Sequence, residues 1–323
     1  MKALVFQEPA VPAVTEVNPP DIGPDEILVR SRAVGICHSD FELLDGHYII
    51  PVSYPIIPGH EWSGEIVEVG KAVTSYKPGD RVVGECVIGQ DHFGFSISGA
   101  AAEYFKVRPE WLHRLPDELS YRMGALVEPF TVAYYATVAA NGIDAGDSTV
   151  IFGAGPIGLC CLAATHARGG RTIVIEPSIE RRGIARRLGA DATVSPADGP
   201  LDEQIRTLTD GRGADVILEA SGVPAAMAAA LEVAGHGARI VNIGINVGDA
   251  VPARLGLIQS KALRLTGIIG SPNVWPRVLR FLAQSKLDLT PIVTATFPLE
   301  GALDALAAAR DTRANVKVQV VNE

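Results

Sequence analysis

Residues 148–165 read STVIFGAGPIGLCCLAAT: an apolar β-type run, a glycine turn and an apolar helical run with nothing between them. The same alternation continues through RTIVIEP, SIERRGIARRLGA, DVILEASG, PAAMAAALEVA, GARIVNIGI and LRLTGIIG. Strands alternating with helices predict βαβ units and a doubly wound parallel sheet covered by helices on both faces. The strand segments are nearly continuous in Val and Ile, as burial on both faces requires. Right-handed crossovers leave little freedom of topology.

Ahead of residue 129 the pattern is different. KALVF, EILVRSRAVGI, SGEIVEVG, DRVVGECVI and AEYFKV are short β-rich runs separated by turn signals such as PPDIGPDE and YKPGD. TVAYYATVAANG (131–142) is small, apolar and of helical type. Past residue 270, WPRVLRFLAQSK and EGALDALAAAR read as helices and VKVQVV as a last strand. A chain of 323 residues exceeds one ordinary core. The expected organisation is a mainly β domain over 1–128 and 271–323, discontinuous around an α/β domain over 129–270.

The net charge of −9 and the pI near 5.3 argue against nucleic acid or an anionic membrane as partner, because phosphate binding wants a basic face. No run approaches the roughly 20 apolar residues that span a bilayer, and MKALVFQEP has no signal-type apolar stretch. The four cysteines, two of them adjacent at Cys160 and Cys161, suit a reducing cytoplasm better than a disulfide scaffold.

Gly153, Gly155 and Gly158 stand in G-x-G-x-x-G spacing between a buried-type strand and a helix. In that setting the first glycine permits the tight turn, the second lets a pyrophosphate approach the backbone, and the third lets helix pack on strand. The helix opens at Pro156, which has no N–H of its own, and from Ile157 on it points free N–H groups and the positive end of the macrodipole at the phosphates. Glu176 closes the next strand, 18 positions beyond Gly158, where an acid accepts hydrogen bonds from an adenosine ribose diol and repels a 2′-phosphate. NAD is therefore expected over NADP, with Arg181 and Arg182 close enough to greet a phosphate and keep NADP open.

A second constellation lies in the β lobe. GICHSD places Cys37 after an apolar run, and PGHEWSG sets His60 beside Glu61. Ionised groups are costly to bury alone, and thiolate, imidazole and carboxylate are all zinc donors. Glu128, in ALVEPFTVAYYA, is a further carboxylate where the β lobe meets the α/β unit, and would look into a cleft. Taken singly, Cys37 reads better as a small buried hydrophobe and Glu128 as an exposed acid at a helix start, and His60 reads also as a satisfied core histidine.

Together GICHSD, PIIPGHEWSGEIVEVG, YKPGDRVV, VEPFTVAYYA, VIFGAGPIG and FPLEGALDAL resemble, in order, the zinc-dependent medium-chain dehydrogenase/reductase family over nearly the whole chain. The EP dipeptide is similar to the sorbitol and threonine dehydrogenase branch, and PGHEWSG resembles aminocyclitol (2-deoxy-scyllo-inosamine) dehydrogenases. The resemblance implies a Rossmann domain and a GroES-like catalytic domain. It implies Cys37 and His60 as zinc ligands, and Glu61 and Glu128 as carboxylates that bind the ion or its water. Ser39 matches the hydroxyl that passes the alcohol proton onward, and Asp40 the acid that orients the histidine. Ile157, Glu176, Arg181, Ile243, Gly244, Ile245, Ile269, Gly270 and Ser271 match cofactor contacts.

The chain departs from the family in three places. VVGECVIGQDHFGFSISGAAAEY contains Cys86 where many members carry four clustered cysteines, so one catalytic zinc and no structural zinc are expected. Glu42 replaces the histidine that commonly ends the proton relay, with His47 further on, and Leu43 replaces a substrate-contact tyrosine. The implied activity is reversible oxidation of a secondary alcohol on a polyol, cyclitol or amino sugar, in a homodimer or homotetramer.

Overall fold

The structure is a computed structural model describing residues 1–322. The chain divides into two compact units: Met1–Glu128 with the segment from Trp275 onward, and Pro129–Val274. The second boundary falls at Trp275, where the sequence expectation put it at residue 271. Ser271 stays with the second unit, its Oγ 2.6 Å from Thr131 Oγ1.

The second unit carries a six-stranded sheet in the spatial order Ala192–Val194, Arg171–Ile175, Ser148–Phe152, Ala214–Glu219, Ala234–Asn242, Arg264–Gly267. All five pairings are parallel. In chain order this is 3-2-1-4-5-6, the doubly wound arrangement of the Rossmann fold. Ser148–Phe152 is buried at every position, which is why its sequence shows no alternation. Helices such as Pro156–His166 and Pro224–Val233 connect the strands. The core beneath them is built from Val150, Ile173, Ile217 and Ile240.

The first unit centres on a seven-stranded sheet in which Lys317–Val321, Ile27–Ile36, Glu61–Val69 and Arg81–Gly84 are successive neighbours. Two late strands of the chain, Val293–Phe297 and Lys317–Val321, thus enter a sheet otherwise built from the first 114 residues. The expected single run DRVVGECVI is two: Arg81–Gly84 stays in the sheet, and Val87–Ile88 joins Asp91–His92 in a separate ribbon. The chain leaves the sheet at Glu85, whose N–H goes to the Trp111 carbonyl at 3.0 Å. The helix expected from residue 131 begins at Val127, which puts Glu128 in its first turn. Among the described residues no helix is long and apolar enough to cross a membrane.

Candidate metal and cofactor sites

The strand Ile27–Ile36 ends at Cys37, which caps the helix His38–Leu44 in extended backbone. Asp40 turns back to accept the Cys37 N–H at 2.8 Å through Oδ2, satisfying a donor the first turn would otherwise leave open. Its other oxygen faces the His60 ring, 3.4 Å from Nδ1. His60 leads into the strand Glu61–Val69, where Glu61 sits opposite Gly35. Strand pairing therefore sets His60 and Glu61 beside Cys37, and donor atoms of all three lie within 4.8 Å of one another. His60 and Glu61 are 4% and 1% exposed.

Glu61 has a buried partner that sequence reasoning missed. Lys317 Nζ donates to both Glu61 oxygens, at 2.8 and 2.7 Å, and to the Ile36 carbonyl at 3.0 Å. Lys317 and Glu61 come from the two strands flanking Ile27–Ile36, so their side chains meet across Gly35. A Cβ at position 35 would lie 2.2 Å from Glu61 Oε2, so this position has room only for glycine. Burial alone would depress Lys317, but the Glu61 carboxylate outweighs it and holds the ammonium above its ordinary range. The sequence pattern pointed the other way: Lys317 and Gln319 alternate with valines in VKVQVV, the mark of a solvent-facing row, yet both are buried.

Glu128 lies outside that group of three, half-buried, but within its field. Burial pushes its carboxyl up to about 7; Glu61 and Asp40 add to this, while His60 and Lys317 oppose it. Burial likewise pushes the Cys86 thiol up to about 12, and its sulfur turns to the Phe93 carbonyl at 3.7 Å. Ser39 is half-buried in the helix that Cys37 caps, Glu42 is half-buried one turn on, and His47 is exposed. Leu43 is fully buried in a hydrophobic cluster.

A thiol, an imidazole and a carboxylate converging in a buried place fit a divalent cation of the zinc type. Neither His60 Nδ1 nor Asp40 Oδ1 makes a well-formed hydrogen bond otherwise, and a carboxylate behind a ligating histidine is the usual support for such a ring. Burial opposes a charge on His60, and Asp40 outweighs it, holding the imidazole well above its ordinary range.

In the second unit, parallel strands bring the other predicted residues to one edge. Gly153–Gly158, Glu176, Ile243–Ile245 and Ile269–Ser271 all follow the carboxyl ends of adjacent strands, where doubly wound sheets bind ligands. A Cβ at Gly158 would lie 2.0 Å from the Gly153 carbonyl oxygen, the close helix–strand approach the spacing foretold. A cavity of about 510 Å³ opens there, lined by Gly153, Gly155, Glu176, Arg181 and Ser221. Glu176 is buried, accepting the Ala154 N–H at 2.8 Å and the Ser178 N–H at 2.9 Å. Arg182 turns away to the Glu176 and Pro177 carbonyls, both at 2.7 Å. Ile243 is buried, whereas Ile245 and Ile269 are 68% and 78% exposed. Gly270 and Ser271 end the series, Ser271 held by Thr131. Pro156 and Ile157 form the first turn of the helix after the glycines. The sequence reading missed Glu219, a fully buried acid at the end of DVILE that accepts the Ser221 N–H at 2.9 Å beside the cavity.

The chain matches a family model described as zinc-binding dehydrogenase over residues 156–284, and one described as alcohol dehydrogenase GroES-like domain over residues 23–117. It is 33% identical to sorbitol dehydrogenase of Bacillus subtilis (strain 168), across 96% of this chain and 93% of that protein. It is 31% identical to scyllo-inosose 3-dehydrogenase of Thermotoga maritima, across 99% of this chain and 92% of that protein. A crystal structure of a zinc-binding dehydrogenase from Sinorhizobium meliloti 1021 bound to NADP superposes with a TM-score of 0.92 at 28% identity, covering 99% of both chains.

Proposed function

Because this chain belongs to the zinc-dependent medium-chain dehydrogenase family, whose members are oxidoreductases of CH–OH donors, we propose that it transfers hydride between NAD(H) and a secondary alcohol or ketone of a polyol, cyclitol or amino sugar. The observation that carries this is the convergence of Cys37, His60 and Glu61 within 4.8 Å in a buried place backed by Asp40 and Lys317. Cys37 and His60 hold one catalytic zinc, with Glu61 and Glu128 as the carboxylates facing it. When bound, zinc supplies Lewis acidity at the alcohol oxygen and nicotinamide a hydride acceptor.

The rest is work for side chains. Asp40 fixes the His60 ring from behind. Lys317 neutralises Glu61, so that the site does not gather uncompensated negative charge. Ser39 takes the alcohol proton. Glu42, one helical turn further and half-buried, is the next group of this chain that can pass it toward solvent. Ser39 passes the proton on by giving up its own as it accepts one, and the Glu42 carboxylate can take it where other members use a histidine.

The preference for NAD rests on Glu176. Its carboxylate lines the cofactor cavity, and backbone N–H groups hold it there. A 2′-phosphate brought beside it meets like charge at close range. NADP is the second reading, favoured by Arg181 in the same cavity and by the NADP-bound neighbour. A screen of sugar alcohols, cyclitols and amino cyclitols for NAD(P)H appearance, run with both cofactors beside a zinc assay, tests the whole reading. Turnover with NAD on one of these classes supports it. A chain without zinc above background, or active only with NADP, overturns the corresponding part.

A further inference from the structure

The wall beside the candidate metal site is aromatic, and one member of it carries an unused polar group. Phe95, 1% exposed, has its ring centroid 4.7 Å from that of His60. Tyr48 stacks on Phe95 in turn, with centroids 4.1 Å apart and planes 8° from parallel. His92 meets the Tyr48 ring edge-on at 6.4 Å. Two ring contacts and a half-buried setting against the Phe95 cluster fix where the Tyr48 ring stands.

Three of the four other tyrosines of this unit spend their hydroxyls on the protein. Tyr54 donates to the Leu43 carbonyl, Tyr76 to the Leu112 carbonyl at 2.8 Å, and Tyr104 accepts from Arg30 at 3.2 Å. The Tyr48 hydroxyl makes no hydrogen bond to any described residue. Burial raises its pKa, Cys86 and Cys37 add to the rise, and His60 opposes it, so the phenol stands in the field of the metal-type donors and stays neutral. A partly buried neutral hydroxyl is a donor and an acceptor at once.

We propose that Tyr48 is a specificity-determining residue whose hydroxyl bonds a second hydroxyl or amino group of the substrate, beyond the carbinol being oxidised. This rests on the reading of the chain as a dehydrogenase of polyols, cyclitols or amino sugars, and names the side chain that favours such substrates over simple alcohols. A site built to hydrogen-bond a substrate hydroxyl discriminates against the analogue that lacks it, because its own polar group is then left without a partner. Phe95 acts behind Tyr48 as the stacking surface that holds the ring.

The test is Tyr48→Phe in the zinc-loaded full chain, which keeps the ring stack and removes only the hydroxyl. Paired substrates are trans-cyclohexane-1,2-diol with cyclohexanol, and 2,3-butanediol with 2-butanol. Calorimetric titration of trans-cyclohexane-1,2-diol into each protein gives a readout independent of turnover. The variant is expected to lose about tenfold in kcat/KM on the diols, mainly through KM, and about tenfold in diol affinity. Activity on the mono-alcohols, zinc content and melting temperature stay at wild-type values. Equal losses on diol and mono-alcohol, or unchanged diol binding, overturn the proposal. If wild-type protein oxidises none of the four alcohols, the dehydrogenase reading is what suffers, and the calorimetric comparison still decides for Tyr48.

Discussion

Lys317 Nζ and the Glu61 carboxylate form a buried ion pair, 2.7 Å apart at its shortest, across a strand that offers only Gly35 between them. The two side chains are 3% and 1% exposed, so neither charge has solvent to fall back on. An ion pair of this kind need not stabilise the fold relative to apolar residues, but removing one partner alone strands the other.

Lys317→Met should therefore destabilise the metal-free protein by roughly 3–5 kcal/mol. The loss should shrink when zinc is present, because a cation beside Glu61 supplies the missing counter-charge. Adding Glu61→Gln to Lys317→Met should recover part of the stability of the chelated protein. Denaturant melts of the three proteins, with and without zinc, check this. Identical midpoints for wild type and Lys317→Met would remove the ion pair from the account of the site.

Cys37→Ser separates the two units. The thiolate is the softest donor of the group, and a hydroxyl is a poor substitute for it. Zinc retention should fall and alcohol turnover should drop to background. Cofactor binding in the second unit should persist, since its cavity draws no residue from the first. Metal analysis and NADH fluorescence titration on the same preparation decide the matter, and intact turnover in this variant would contradict the ligand assignment.

The second unit was nearly transparent in sequence because its strands are buried on both faces and its turn needs glycines at fixed offsets. Phe152, Gly153 and Gly158 announce themselves from neighbouring positions. The metal site is built the other way. Cys37, His60, Glu61 and Lys317 are brought together by strand pairing between segments as far as 281 residues apart, and no local spacing encodes that. Lys317 looked like a surface lysine on a terminal strand until pairing with Ile27–Ile36 turned it inward. Tyr48 and Phe95 likewise sit on segments whose approach depends on the whole lobe.

Glu176 is at once a scaffold for the glycine turn and a charge at the cofactor cavity. Glu176→Ala removes the acceptor of the Ala154 and Ser178 N–H groups and the like charge that a 2′-phosphate would meet. NAD affinity should fall, and the ratio of NADP to NAD usage should rise by roughly 10- to 100-fold, the scale of a lost like-charge contact. Steady-state kinetics with each cofactor measures the ratio. An unchanged ratio would make Glu176 a structural acid only.

Glu128 gives the site a pH dependence that zinc should erase. In the metal-free fold burial lifts its carboxyl from an ordinary 4.5 to about 7. The folded state then binds the proton more tightly than the unfolded chain. Its contribution is fully present below pH 4.5 and is lost as pH rises through about 7, on the order of 3 kcal/mol in all. His60 is held up against burial by Asp40 and adds a fall of the same sign, so the difference between wild type and Glu128→Gln isolates the carboxyl. Denaturation of chelated protein between pH 5 and 8 should show a shallower loss in Glu128→Gln. Zinc-loaded wild type should show little of it, because a nearby cation favours the carboxylate and displaces the proton. Parallel slopes for the two chelated proteins would take Glu128 out of the metal site's field.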